Sequence, residues 1–209
     1  MAFDKMTQKI AITVPQFTLL KGSDGLFRKQ HRYNEPYIVS FAIDESGEDT
    51  KSVKFNYMPF PKVKPGGSVI MLGDGHLVYG PKQPGDFAAV SILLMESDQD
   101  MRDLGKRIED VARSKFVDLG LKMLLSVKPE AAGIIAVLKE LTQLVSGALK
   151  NDGDDELFRT EGTFLRDLPN PYHVNREYRT GNDFVDLRLR ILPMEKPNGQ
   201  GAEVKILPV

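Results

Sequence analysis

Residues 98–150 read DQDMRDLGKRIEDVARSKFVDLGLKMLLSVKPEAAGIIAVLKELTQLVSGALK, and they interrupt a chain whose apolar residues otherwise tend to alternate with polar ones. Within this stretch the apolar residues recur every three to four positions, as on one face of a helix. One such stripe begins at Met101 and a second at Ile134, with Pro129 between them. Because the connection is short, the pattern predicts an antiparallel α-helical hairpin over residues 98–150.

The segments on either side of this stretch predict β-strands. Val185–Leu192 alternates apolar and polar residues, as a half-buried strand does. Phe87–Met95 is almost wholly apolar, which is typical of a central strand covered on both faces. Leu168–Asn182 carries Pro and Tyr without a clear period and is predicted to be a long loop. About eight or nine strands with turns between them predict an all-β sandwich. We expect one domain over residues 1–209, with the hairpin inserted in it.

Composition and charge argue against several classes of protein. A formal net charge of -1 does not suit a general nucleic-acid binder. The absence of cysteine excludes disulfides and thiolate metal sites, and it fits a reducing compartment. The first residues lack the uninterrupted apolar segment of a Sec signal peptide. We therefore expect a cytoplasmic protein, or one exported without a Sec signal.

Sequence signatures of enzymes are scarce in this chain. No serine stands in a G-x-S-x-G motif, and no glycine-rich phosphate-binding motif follows a predicted strand. The three histidines, His31, His76 and His173, lie far apart in sequence. A hydrolase would need a triad assembled in space around His76 or His173. We expect a protein that is not an enzyme and keep the hydrolase as the lesser alternative.

Acidic residues cluster at both ends of the helical stretch. Glu96, Asp98 and Asp100 stand two residues apart, so an extended chain would place their carboxylates on one side. Asp154 and Asp155 follow the second helix, and closure of the hairpin would bring them near the first group. Converging carboxylates repel one another unless a cation neutralises them, and oxygen ligands in loops suit Ca²⁺. The alternative is that Asp98 and Asp100 cap a helix while the later acids are solvated turn residues.

This arrangement of acids resembles the C2 domain, a β-sandwich that often binds Ca²⁺ and membranes through loops at one end. The first loop of that family has an Asp and then an acid before Pro-Tyr; here Asp24 precedes Glu35-Pro36-Tyr37. Its third loop has a D-x-D pattern and later paired acids, here Asp98-Gln99-Asp100 and Asp154-Asp155. The resemblance implies a Ca²⁺ site formed by loop carboxylates: Asp24, Glu35, Glu96, Asp98, Asp100, Asp154 and Asp155.

The chain also departs from the C2 pattern. Glu35 stands where the family usually has Asp, and the family's Asn-Pro-x-Trp-x-Glu stretch is missing. A helical insertion as long as residues 98–150 is unusual for the family. The resemblance therefore bears more on the fold than on Ca²⁺ binding.

Two surfaces are open to more than one interpretation. The helical stripes can cover an open face of the sandwich, or Leu119–Val127 and Ile134–Leu149 can engage lipid or a partner's helices. The late arginines can form an interaction surface together with Tyr172 and Tyr178, or they can pair with acids across strands, which we favour. These arginines are Arg176, Arg179, Arg188 and Arg190.

Together these features predict a non-enzymatic, C2-like interaction module that docks to a protein partner or an anionic membrane surface, with Ca²⁺ as the expected ligand. Nucleic acid is not an expected partner. The alternative from a different class is a structural subunit of a larger homo-oligomeric assembly, in which the hairpin and the long loops form the contacts.

Overall fold

The computed structural model describes residues 3–21, 33–45, 53–60, 62–97, 103–118, 131–196 and 205–207. This part of the chain is mostly β, with two antiparallel sheets and two helices, as the sequence predicts. The elements in chain order are β1 (Ile10–Leu19), β2 (Pro36–Asp44), β3 (Val53–Pro59), β4 (Ser68–Ile70), β5 (His76–Lys82), β6 (Phe87–Glu96), α1 (Leu104–Asp118), α2 (Ala131–Asn151), β7 (Asp155–Leu165), β8 (Glu177–Gly181), β9 (Val185–Pro193) and β10 (Lys205–Leu207).

Sheet I is organised around β1. Along one edge β1 pairs with β9, which in turn pairs with β8. Along its other edge β1 pairs with β5 through its first half and with β4 through its second half. A register shift between Thr13 and Gln16 lies where this change of partner occurs. Sheet II has the order β10-β3-β2-β6-β7, so β2 and β6 lie in its interior.

Sheet II lies between sheet I and the two helices. Along β2, Ile38 and Ala42 belong to the core shared with sheet I, whereas Val39 and Phe41 belong to the core shared with the helices. Every residue of β6 is buried. The prediction that Phe87–Met95 forms a central strand covered on both faces is therefore confirmed.

The helices cover the outer face of sheet II. Leu138, Leu141 and Val145 of α2 have no exposed surface and pack in this second core. The Thr142 hydroxyl lies 2.7 Å from the Ser91 hydroxyl, which adds a polar contact between α2 and β6. Among the described helices, α2 is the one long and apolar enough to cross a membrane by composition, but a core helix meets the same criterion. Residues 119–130, which include the Leu119–Val127 stretch, lie outside the described residues.

The predicted loop at Leu168–Asn182 is the clearest error of the sequence analysis. The structure has a short 3-10 helix at Pro171–His173 and then β8, which forms an edge of sheet I. Because β8 is a short edge strand, its sequence EYRTG lacks the apolar alternation of an internal strand. Tyr172 is fully buried and its hydroxyl donates a 2.5 Å hydrogen bond to the Gly85 carbonyl, so it does not contribute to an exposed surface.

The late arginines pair with acids on sheet I. Arg179 lies 2.7 Å from Asp186, and Arg190 lies 2.7 Å from Glu177. Arg188 makes a longer contact of 3.3 Å with Glu177. These are cross-strand pairs between β8 and β9, which is the interpretation that the sequence favours.

A buried polar cluster joins three strands. The Asp44 carboxylate accepts hydrogen bonds from the Lys54 ammonium and, at 2.6 Å, from the Tyr79 hydroxyl. Burial lowers the pKa of Lys54 and raises the pKa of Tyr79. Since all three side chains are buried, we assign this cluster a structural role in joining β2, β3 and β5.

His76 gives the fold a dependence on pH. Its ring is fully buried, and neither ring nitrogen has a hydrogen-bond partner among the residues that the structure describes. Burial disfavours the charged ring and lowers the pKa of His76 from 6.5 to about 4. Because the pKa of His76 is lower in the folded state, His76 does not reduce the free energy of unfolding above pH 6.5. As pH falls from 6.5 toward 4, the unfolded chain takes up a proton that the folded chain does not, and the free energy of unfolding decreases.

We expect this histidine to make the free energy of unfolding about 2 kcal/mol lower near pH 5 than near pH 7.5. Leucine at this position has a similar size and does not titrate, so His76→Leu should remove that part of the pH dependence. Urea denaturation of both proteins at the two pH values measures the difference. Equal pH dependence in both proteins would contradict the prediction.

Candidate functional site

The described acids of the predicted Ca²⁺ site meet at one end of sheet II. The Ser97 amide donates a 3.1 Å hydrogen bond to the Glu35 carbonyl, which joins the start of β2 to the end of β6. Glu96 lies opposite Pro36 on one side and opposite Asp155 on the other. The structure thus brings the backbones of Glu35, Glu96, Asp154 and Asp155 together. Asp24, Asp98 and Asp100 lie outside the described residues.

The carboxylates at this end lie on two faces of the sheet. Residues directly opposite each other on neighbouring strands share a face, so Glu96 and Asp155 lie on the side of sheet I. Asp154 precedes Asp155 and lies on the helical side. Glu96 is buried and accepts a 2.5 Å hydrogen bond from the Asn34 amide, whereas Asp155 is exposed. The alternation of the strand therefore separates acids that are adjacent in sequence.

Asp154 is the centre of a buried polar network. Its side chain has no exposed surface and lies 2.5 Å from the Arg107 guanidinium. It also accepts a 2.5 Å hydrogen bond from the Tyr37 hydroxyl and a 3.3 Å hydrogen bond from the Ser97 hydroxyl. Burial, together with the hydrogen bond to Asp154, raises the pKa of Tyr37. One carboxylate thus connects β2, the end of β6 and α1.

Local sequence explains how α1 reaches this network. Gly105 lies in the first turn of α1, and a Cβ atom there would come within 1.8 Å of the Tyr57 hydroxyl. The missing side chain lets the helix start directly against β3. From there Arg107 extends to Asp154, which is 47 residues later in the chain. No short motif in the sequence encodes this ion pair, and sequence analysis did not find it.

Within the described ranges, no group of three or more His, Cys, Asp or Glu side chains is arranged to hold a metal ion. Two physical reasons account for this: the acids alternate between two faces, and Arg107 already neutralises Asp154. A Ca²⁺ site at this end would depend on Asp24, Asp98 and Asp100 in addition to Glu35 and Asp155. The predicted site stays a prediction.

Exposed apolar side chains surround the same end of the molecule. Leu20, Tyr33 and Phe184 are 44%, 50% and 37% exposed. The Leu20 amide donates a 2.6 Å hydrogen bond to the Phe184 carbonyl, so these two residues are neighbours. The side-chain amide of Asn182 donates a 2.8 Å hydrogen bond to the Leu157 carbonyl. This contact places Leu20 and Phe184 beside the start of β7.

Cations accompany these apolar residues. The Lys64 ammonium lies 5.0 Å from the centre of the Tyr33 ring, and Lys21 pairs with Asp183 at 3.2 Å. Sequence analysis did not single out Leu20, Tyr33 or Phe184, because each stands alone beside a strand end and belongs to no motif. The end therefore combines exposed apolar, basic and acidic groups from several connecting segments.

The histidines of the hydrolase alternative lie elsewhere. His76 is buried in the core of β5, and His173 contacts the Tyr178 hydroxyl beside Phe164. In the described part of the chain neither histidine is shown bonded to a carboxylate, and the hydrolase stays a prediction. No model of a known protein family matches the chain, and no curated protein is significantly similar to it.

Proposed function

We propose that the chain is a non-enzymatic interaction module that docks to an anionic membrane surface through the end that carries Leu20, Tyr33 and Phe184. The observation that supports this function is the gathering of these exposed side chains, which come from separate segments, at one end of the sheets. Aromatic and aliphatic side chains partition favourably into the membrane interface. Lys21 and Lys64 beside them can attract anionic headgroups.

We also propose the architecture that the C2 resemblance implies. The two sheets form a C2-like sandwich, and α1 and α2 form a hairpin inserted between β6 and β7. Contacts between the two helices support a hairpin. In the C2 family, docking to membranes uses loops at one end, which is the kind of surface proposed for this chain.

We propose that Ca²⁺ bridges the acidic end and the lipid headgroups. The side chains of Glu35 and Asp155 are half-buried and exposed, respectively, so solvent ions can reach them. Together with Asp24, Asp98 and Asp100 they would supply the hard oxygen ligands that Ca²⁺ requires. Bound Ca²⁺ would also offset the repulsion between these carboxylates and an anionic surface.

Cosedimentation with phosphatidylserine vesicles tests the proposal. We expect the double substitution Leu20→Ser and Phe184→Ser to weaken vesicle binding about tenfold or more, because it removes apolar surface from the contact. The matched control is Met6→Ser with Leu165→Ser, which changes two exposed apolar residues away from this end. No binding by the unmodified chain, with or without Ca²⁺, would overturn membrane docking, as would equal weakening by both double variants.

The same assay separates the Ca²⁺ part of the proposal from docking itself. If Ca²⁺ bridges the contact, EGTA should release the protein from the vesicles. Binding that persists in EGTA would remove Ca²⁺ from the proposal and leave docking through the apolar residues in place.

A further inference from the structure

Among the described strands, β4 forms an edge of sheet I and lacks the charged residues that the β8 and β7 edges carry. Exposed strand edges are usually blunted by charged residues, prolines or bulges, because they can pair with another chain. The opposite edge of sheet I, β8, carries Glu177 and Arg179, and the β7 edge of sheet II carries Arg159 and Glu161. Residues 66–72, by contrast, read GGSVIML and contain neither a charge nor a proline.

The backbone of β4 offers hydrogen-bonding groups at its outer edge. The Leu19 amide bonds to the Gly67 carbonyl, and the Met71 amide bonds to the Pro15 carbonyl, each at 3.0 Å. Because antiparallel pairing alternates, the odd-numbered residues of this segment direct their amides and carbonyls toward β1. Those of Ser68 and Ile70 are therefore directed away from β1, toward the outer edge.

Apolar side chains accompany these backbone groups. Ile70 and Leu72 are each 74% exposed, the highest values among the large apolar residues described, whereas Met71 between them is buried. A strand edge with no described strand on its outer side and two exposed aliphatic side chains has the features of a pairing surface.

We propose that β4 pairs antiparallel with β4 of a second copy of this chain, so that two copies of sheet I join about a two-fold axis. Centred on Val69, such a pair lets Ser68 and Ile70 of each copy exchange backbone hydrogen bonds with the other. Ile70 and Leu72 of both copies then lie at the junction. The joined sheets would leave neither β4 edge open to a further strand.

Charge favours a second copy in this orientation. Lys62 and Lys64 precede β4, whereas Asp74 follows it. Antiparallel pairing of two copies places the basic flank of one beside the acidic flank of the other, and parallel pairing would place like charges together. The contact is smaller than a standard protein interface, so we expect a dimer with a micromolar dissociation constant.

Sedimentation velocity over a range of protein concentrations measures the dimer. We expect Ile70→Lys to raise the dissociation constant about tenfold or more, since it places a charge at the centre of the junction. Met6→Lys makes the same kind of change at another exposed apolar position and should leave the constant unchanged.

A backbone variant separates strand pairing from apolar contact. In Ile70→Pro the lost amide is one that does not bond to β1, so the fold should persist while dimerisation is lost. Thermal unfolding followed by circular dichroism checks the fold, and if this variant unfolds, Ile70→Lys decides. A chain that stays monomeric at several hundred micromolar, or a dimer that Ile70→Lys leaves unchanged, would overturn the proposal.

Discussion

Replacing Asp154 with alanine should lower the free energy of unfolding by about 3 kcal/mol, because it removes a fully buried carboxylate together with its ion pair to Arg107 and its hydrogen bond from Tyr37. The Asp154 carboxylate is fully buried and lies 2.5 Å from both the Arg107 guanidinium and the Tyr37 hydroxyl. Its loss removes the same acceptor from both of these groups at once. Urea denaturation at neutral pH measures the change.

The neighbouring acid provides the control for this substitution. Asp155 is the next residue and is exposed, so Asp155→Ala should change the free energy of unfolding by less than about 0.5 kcal/mol. Asp154→Asn keeps the size of the side chain and removes its charge, which isolates the electrostatic part. Equal effects of alanine at the two positions would show that Asp154 does not hold α1 to the sheet.

Truncation of the apolar face of α2 should have a similarly large effect. Leu138 is fully buried between α2 and sheet II, and we expect Leu138→Ala to destabilise the protein by about 3 kcal/mol. The cost combines the lost transfer free energy of the side chain with that of the cavity left behind. Thermal or urea unfolding measures it.

A second leucine in the same helix gives the matched control. Leu144 is 37% exposed, so Leu144→Ala should cost less than about 1 kcal/mol. This comparison distinguishes a core helix from a helix that is only loosely held and free to enter lipid. If Leu138→Ala has no more effect than Leu144→Ala, α2 is not part of the folded core.

Sequence could predict those strands in which burial produces a recognisable pattern of apolar residues. Strand β9 shows alternation because its even-numbered residues include the paired arginines of the outer face, and β6 is continuously apolar because both of its faces are covered. Strand β8 has no such pattern, because it is an edge strand whose one large apolar residue is a half-buried tyrosine. Strand β8 is recognisable only from its pairing with β9 in the folded chain.

In the candidate site, too, some contacts could be predicted from sequence and others could not. The meeting of Glu35, Glu96 and Asp155 could be anticipated, because acids at the ends of adjacent strands come together once those strands pair. The Arg107–Asp154 ion pair could not, since it depends on the path of α1 across sheet II. The proximity of Leu20 and Phe184 was not predicted, because it follows from the pairing of β1 with β9, two strands that lie far apart in sequence.

The central position of sheet II gives the molecule two interiors that share no side chain. Substitutions in one interior should therefore combine additively with substitutions in the other, because they share no packing partners. The helical layer can accumulate sequence changes without altering the packing between the sheets. In that sense the two cores can vary independently, and the β4 edge is supported by the core that the helices do not touch.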